Sequence, residues 1–415
     1  MGGAIDPSLE PPGQRDASGR ASWRPLAYPL FAAVWLANTV SNFGGQAQGV
    51  GAAWLMTSLT SDPLTVSLVT TAALAPMLLF SLLAGAVADA YDRRLVLLIA
   101  QGAMFGLSIA LAWAAGAGAL TPAGLVLLTF GIGCGFAFNA PAWQAAVWEL
   151  VSHEDVPAAV SLNVVGFNLS RTAGPALGGL IVGWGGPSAS FWFNAASYLG
   201  LLAVLAIWLR RPTKASITSA QPIWPAIRAG VGHAATSAPL RRVLIRIGLF
   251  GLPLGALLAL LPIVVRQLGA GPDGLGIVLA CSGGGAVLGA LVANRWRARL
   301  GLEHLLRLCI AATAAGMTIV AASDHLAIVA MAEVVTGCAA TIFYTVANIT
   351  LQIAAPRPML GRIMSLQAMV ALGALGLGSW LWGGVAVVLG VEIALGCAAT
   401  VMALMLALPG SPGHG

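Results

Sequence analysis

Arg171 and Glu333 each stand deep in an otherwise apolar run of residues. A charge near the middle of a membrane span costs ~2.5–3.5 kcal/mol on insertion scales, so such a residue is read first as functional. Arg171 is suited to hold an anionic substrate, or to pair with Glu333 when that carboxylate is ionised. Glu333 is the most deeply placed acid and the candidate proton-coupling residue. It stands only about two turns into its run, and the competing expectation is a carboxylate that faces water.

Uncharged polar groups form the second set. Asn38, Asn42 and Gln46 recur every four residues, which places three amides on one face of a helix. Asn139 and Trp143, Asn168, and Tyr344 with Asn348 add amides and aromatics within further apolar runs. Amides beside aromatic rings suit an amphipathic organic substrate better than an inorganic ion. Hydrogen bonding between helices is the alternative role for each.

Other chemistries lack their residues. Lys214 is the single lysine and no G-x-x-x-x-G-K-[ST] surrounds it, so the chain carries neither an ATP-driven pump nor a retinal Schiff base. The five histidines are scattered, no H-E-x-x-H occurs, and the five cysteines have no metal-ligand spacing. No metal, no cofactor and no catalytic residues are expected, and the protein is not expected to be an enzyme. An embedded enzyme or receptor would need clustered catalytic side chains or a sizeable loop domain. The expected partners are a small-molecule substrate, protons and membrane lipid, with no nucleic acid and a monomeric chain.

The elements that hold these residues follow from composition. Only 8% of residues are charged and 58% are hydrophobic, with a mean hydropathy of +0.89; soluble chains are about 25% charged. A span needs ~20 apolar residues, and twelve runs qualify: 30–54, 64–87, 95–115, 122–148, 158–184, 188–209, 243–265, 275–292, 305–322, 326–351, 363–382 and 387–408. With the N-terminus inside, every Lys and Arg except Arg171 and Arg266 falls on the cytoplasmic side, as the positive-inside rule requires. Both termini are therefore expected in the cytoplasm. The longest polar interruption lies at the chain's midpoint. It divides a disordered tail (1–25) and a six-helix bundle (26–210) from a linker (211–240), a second bundle (241–409) and a short tail (410–415). The halves match faintly, Asn139 with Gln144 closing the fourth span and Asn348 with Gln352 the tenth.

Two motifs carry a resemblance. Gly85-Ala-Val-Ala-Asp89-Ala-Tyr-Asp92-Arg93-Arg94 resembles the G-x-L-A-D-R-x-G-R-R loop of the major facilitator superfamily, with Ala90 and Asp92 departing from it. There Gly85 would let two helices approach, Asp89 would sit against a helix N-terminus, and Arg93 would pair with an acid, for which Glu149 is the candidate. Contacts of this kind, made in one state and broken in the other, would form a conformational latch. In the second half Gly289-Ala-Leu-Val-Ala-Asn294-Arg295 lacks the acid, so one latch is expected. The alternative is a solvated positive-inside loop. Arg171-Thr-Ala-Gly174-Pro175-Ala-Leu-Gly178-Gly179 resembles the superfamily's exporter signature G-P-x-x-G-G. Pro175 frees the Arg171 carbonyl and permits a bend. The pairs Gly174 with Gly178 and Gly179 with Gly183 would allow close packing, against a glycine surface of Gly283, Gly284, Gly285 and Gly289.

The resemblance covers about residues 26 to 408 and extends, through Asn139-Ala-Pro-Ala-Trp-Gln144 and Trp35-Leu-Ala-Asn38, to the enterobactin-exporter-like branch of drug and siderophore exporters. It implies an all-α membrane protein of two six-helix bundles related by a pseudo-twofold axis. It further implies proton-driven export from the cytoplasm across the bacterial inner membrane by alternating access. A proton symporter or facilitator that imports a small metabolite is the rival expectation.

Overall fold

A computed structural model describes residues 23–210, 232–356 and 359–407. The expected tails, apart from residues 23–25, and most of the expected linker lie outside these residues. After a short 3-10 turn (Arg24–Ala27), the helices are α1 (Pro29–Leu59), α2 (Pro63–Ala90), α3 (Arg93–Gly116) and α4 (Pro122–Leu150). A hydrogen-bonded rod, Val156–Leu209, then breaks at Gly186, where φ is 73° and ψ 175°; its two parts are α5 (156–185) and α6 (187–209). The second set is α7 (Ala238–Gln267), α8 (Pro272–Leu300), α9 (Leu302–Ala322), α10 (Leu326–Ala354), α11 (Leu360–Leu389) and α12 (Val391–Leu404). The described residues contain no strand.

Several expectations about boundaries need correction: α8 runs on to Leu300, past the expected 292, and α11 to Leu389, past 382 and into the run expected to start at 387. α7 begins at Ala238, inside the stretch read as linker. α1 runs five residues past the expected 30–54, to Leu59. The fifth and sixth runs are not separated by a loop but by a kink, where Gly186 takes a positive φ and Pro187, which has no N–H to donate, starts the next helix.

Local chemistry sets the helix starts. Proline occupies the first turn of α1, α2, α4 and α8, where its missing N–H is one that no helix would use. Asp62 caps α2, accepting from the Thr65 amide at 2.8 Å, and the Thr65 hydroxyl bond holds its carboxyl below the ordinary value. Thr121 caps α4 by accepting from the Gly124 amide at 3.1 Å.

Among the described residues nine helical segments, the α5–α6 rod counted once, are long and apolar enough to span a bilayer. α1 falls short because Asn38, Asn42, Gln46 and Gln48 dilute its hydropathy. Large apolar side chains such as Trp184, Val388, Leu127 and Leu291 point outward with more than two thirds of their surface bare. Facing water they would be a liability; facing lipid they are the solvent-compatible surface, while helices satisfy the backbone internally.

The helices pack in two sets of six that repeat each other. α2 meets α4 as α8 meets α10, α3 meets α4 as α9 meets α10, and α1 meets the α5–α6 rod as α7 meets α11 and α12. The second set is filled by one continuous apolar core around Phe250, Leu257, Leu275, Phe343 and Met402. The first set has two smaller cores, one around Phe31, Leu97 and Leu205 and one around Met56, Leu111 and Phe191. Between them lies a polar belt: Asn194 of α6 donates to Gln48 of α1, the Ser108 hydroxyl of α3 donates to Gln48 at 3.0 Å, and Asn194 reaches the Tyr198 hydroxyl at 3.4 Å.

Candidate functional site

The two sets of helices meet along two seams. On the first, α5 lies against α8 with almost no side chain between them. A Cβ at Gly276 would fall 2.7 Å from the Pro175 carbonyl oxygen and 2.8 Å from the Gly179 Cα, and one at Gly179 would fall 2.7 Å from the Pro272 carbonyl oxygen. The Thr172 hydroxyl donates across the seam to the Gly283 carbonyl at 3.1 Å. On the second seam α2 meets α11, where the Thr71 hydroxyl donates to the Gly376 carbonyl at 3.2 Å and a Cβ at Gly373 would strike Leu78 at 2.6 Å. Shifting each helix number by six turns one seam into the other, which is the pseudo-twofold relation seen from inside.

Both seams lie toward one end of the molecule, and a third contact closes that end. Arg266, at the end of α7, donates to the Thr57 hydroxyl at 3.0 Å and the Ser58 hydroxyl at 3.1 Å at the end of α1, with its guanidinium 5.8 Å from the Trp54 ring centre. These four side-chain hydrogen bonds between the two sets all fall in this half. Toward the Arg93 end the face of α5 that would continue the seam is bare: Val164 is 53% and Val165 52% exposed. The sets therefore touch at the Arg266 end and part toward the Arg93 end.

Arg171 stands where they part. On α5 it lies between the side that packs on α1, marked by Gly166, Ser170 and Gly174, and the side that packs on α8, marked by Thr172 and Gly179. Across the gap, on α10, the Tyr344 hydroxyl lies within electrostatic reach of the guanidinium. That hydroxyl is buried and has no hydrogen-bond partner. Its ring is held edge-on by Phe250 at 5.6 Å and Phe343 at 5.8 Å. Asn348, one turn along α10, accepts from Gln352.

Glu333 does not face water: it is 3% exposed. It lies between α10 and α8, with a hydrogen bond to the Ser282 side chain and one carboxylate oxygen without a partner. Helices α8 and α10 are close there because a Cβ at Gly337 would strike the Ser282 carbonyl and one at Gly285 the Val334 carbonyl. Arg171 and Glu333 form no ion pair among the described residues. They sit on either side of α8, linked through Thr172, Gly283 and Ser282.

At the opposite end Arg93, in the first turn of α3, meets Glu149 of α4 at 3.0 Å, and Arg94 reaches the same carboxylate at 3.8 Å. Arg94 is buried, donates to the Trp208 carbonyl at 3.2 Å and stacks 4.9 Å from the Trp208 ring. Asp92 caps α3 through the Arg94 amide at 2.9 Å. The Asp89 side chain lies outside the described residues.

Several glycine readings are corrected. No atom lies within 4 Å of a Cβ placed at Gly85, Gly183 or Gly284, so none of these serves a close approach. Gly174 and Gly178 face α1, at Gln46 and Ala47, and of the exporter motif's glycines only Gly179 faces α8. Of the four α8 glycines expected to face α5 only Gly283 does so, joined there by Gly276, while Gly285 and Gly289 meet α10. The amides also separate. Asn139 is 8% exposed and accepts from Gln101 at 3.0 Å, and Gln46 packs beneath Gly174. Asn38 and Asn42 are half-buried on the side of α1 turned from α6, as are Trp143 on α4 and Asn168 on α5.

The sequence reading missed Gln48, Ser108 and Asn194, whose belt joins three helices, and the Arg266 contact. Arg266 carried a usable signal, being the one cation expected outside. It also missed the two-pronged pair of Arg246 with Glu303, at 2.9 and 3.0 Å.

Comparison with known proteins agrees with this geometry. Residues 20–410 match the model of the family described as transmembrane secretion effector. The multidrug efflux pump Tap of Mycolicibacterium fortuitum is 28% identical over 408 residues, 92% of each chain. Tap of Mycobacterium tuberculosis (strain ATCC 25618 / H37Rv) is 29% identical over 177 residues, 40% of this chain and 41% of its own. In fold, a point mutant of the nucleoside transporter NupG superposes with a TM-score of 0.73 at 13% identity, over 91% of this chain and 98% of its own. A bacterial homologue of the human lysosomal transporter Spinster, inward-facing and occupied, gives 0.73 at 13% identity, over 92% and 96%. These are multi-pass transporters of one architecture, and the chain belongs to the transmembrane secretion effector family of the major facilitator superfamily.

Proposed function

We propose that this transporter is a proton-coupled exporter, which moves a small amphipathic organic compound out of the cytoplasm by rocking its two six-helix halves. The observation that carries the proposal is the pair of glycine seams that hold the halves together at the Arg266 end while Arg171 stands in the gap that opens beyond them. With the arginine-rich end inside, as the positive-inside rule asks, that gap faces the cytoplasm, where an exporter loads. The efflux pump Tap, similar along nearly the whole chain, supports the outward direction.

In this reading the halves span 26–210 and 238–409, the second starting with α7 at Ala238, in the bacterial inner membrane with both termini cytoplasmic. The chain works as a monomer among lipids. Arg93, Arg94 and Glu149, with Asp89, brace the loop end in the inward-open state. Glu333 takes up and releases the coupling proton, and its distance of one helix from the α5–α8 seam lets protonation act on the pivot. Asn38, Asn42, Asn168, Trp143, Tyr344 and Asn348 offer polar groups to the cargo.

Everted membrane vesicles test this. When respiration acidifies their interior, an antiporter drives its cargo inward, and a protonophore abolishes the uptake. Uptake that ignores the gradient removes proton coupling, and uptake driven only by the opposite gradient assigns a symporter instead.

A further inference from the structure

We infer that Arg171 and Tyr344 form an oxyanion-binding site, and that the cargo is an amphipathic organic anion whose carboxylate, phosphate or sulfonate is held between the two halves. The inference rests on the exporter reading and names the chemical class of its cargo.

Four side chains of α5 form a stripe at helical spacing: Val160, Val164, Phe167 and Arg171. The first three are 45%, 53% and 41% exposed although apolar. The stripe runs along the side of α5 that lies between its α1 and α8 contacts, and Tyr344 of the other half sits opposite its end. An apolar track thus leads up to a guanidinium. Amides or a carboxylate at the same place would recognise a different cargo.

The guanidinium itself is uncompensated. The acids that could neutralise an arginine are engaged elsewhere: Glu149 by Arg93 and Arg94, Glu303 by Arg246 and Arg307, Asp155 by Arg24. Glu333 is turned to Ser282 behind α8. Among the described residues Arg171 has neither an ion pair nor a hydrogen bond from its side chain. Arg171 is exposed toward the gap, and an ionised side chain at membrane depth that faces a cavity marks a substrate or ion pathway. The Tyr344 hydroxyl supplies the second observation, since it is buried without a partner and its ring is fixed by Phe250 and Phe343. A planar guanidinium donates two parallel hydrogen bonds to a carboxylate or phosphate, and a phenol donates a third. Because the donors come from different halves, a bound anion also ties the halves together.

The test uses everted vesicles and matched probes, dansyl-amino acids with a free carboxylate and their neutral methyl esters, against vesicles lacking the protein. A charge-assisted hydrogen bond is worth about 1.5–3 kcal/mol, so the carboxylates are expected to be taken up about tenfold or more in preference to the esters. Arg171→Gln is expected to erase that ratio, Arg171→Lys to keep only part of it because the charge stays and the planar fork is lost, and Tyr344→Phe to lower it severalfold. Equal uptake of acid and ester by the wild-type protein overturns the oxyanion site and leaves the exporter reading standing. A ratio that survives in Arg171→Gln overturns it as well. Gradient-driven uptake of neither probe class, or of any drug in a wider panel, overturns the exporter reading and this inference together.

Discussion

The Arg266 guanidinium lies 3.0 Å from the Thr57 hydroxyl, and the two residues belong to opposite halves of the transporter. Thr57 in turn donates to the Trp54 carbonyl at 2.8 Å, and Trp54 packs on the core of the far half. The contact must break before the Arg266 end can open. Replacing Arg266 by alanine removes two hydrogen bonds from a charged donor, each worth about 1 kcal/mol or more, so the population of the state open at that end should rise severalfold. In a cysteine-free background carrying Val50→Cys, at a position 2% exposed between the halves, the thiol should then react severalfold faster with a maleimide. An unchanged rate would show that the contact does not hold the gate.

The α5–α8 seam should tolerate no added side chain. Gly276→Val puts atoms within 3 Å of backbone on α5, where backbone cannot step aside. Overpacking of this kind costs about 1–3 kcal/mol, and the expected result is a lower melting temperature in detergent together with lost transport. Gly183→Ala, which meets nothing within 4 Å, should melt and transport as wild type. Equal behaviour of the two variants would deny the seam its role.

Arg93 and Glu149 should couple weakly. Their side chains are 34% and 33% exposed, and pairs open to solvent are worth about 0.2–1 kcal/mol. A double-mutant cycle with alanine should give a coupling in that range, and the exchanged pair Arg93→Glu with Glu149→Arg should recover part of the transport lost by either change alone. If the exchange recovers nothing, Arg94, buried against Trp208, carries the contact. Arg94→Lys is expected to be the more damaging change, since lysine offers no planar fork.

Glu333→Gln should uncouple. With a neutral isostere the carboxyl can no longer release a proton, so accumulation against a gradient and its dependence on pH should both vanish. Exchange of labelled for unlabelled cargo at equal concentrations should persist. Accumulation that retains its pH profile would take Glu333 out of the coupling.

Much of the fold was legible because lipid imposes a coarse rule. Twelve apolar runs with cations on one side leave few arrangements, and the turn from Asp89 to the paired Arg93 and Arg94 narrows them further. Contacts across the molecule were less so. Gln46 and Gln48 stand two residues apart in the same helix, yet one packs under Gly174 and the other joins Ser108 and Asn194. Nothing in either residue type announces which partner waits across the bilayer. The glycines show the same limit, since Gly179 and Gly183 are one turn apart and only the first meets another backbone. Helical spacing says which face a residue shares, and only tertiary packing says what that face meets.

The belt of Gln48, Ser108 and Asn194 has a mechanical consequence. Hydrogen bonds are directional and cannot be traded for neighbouring ones by a small slide. Three helices of the first half are thereby pinned like a keyed shaft, and that half should turn as a single stiff piece. Among the described residues the second half carries no belt of that kind through its apolar core; Arg246 with Glu303 ties α7 to α9, and Ser379 with the Gly255 carbonyl ties α11 to α7, so α7 is the member against which its other helices are set.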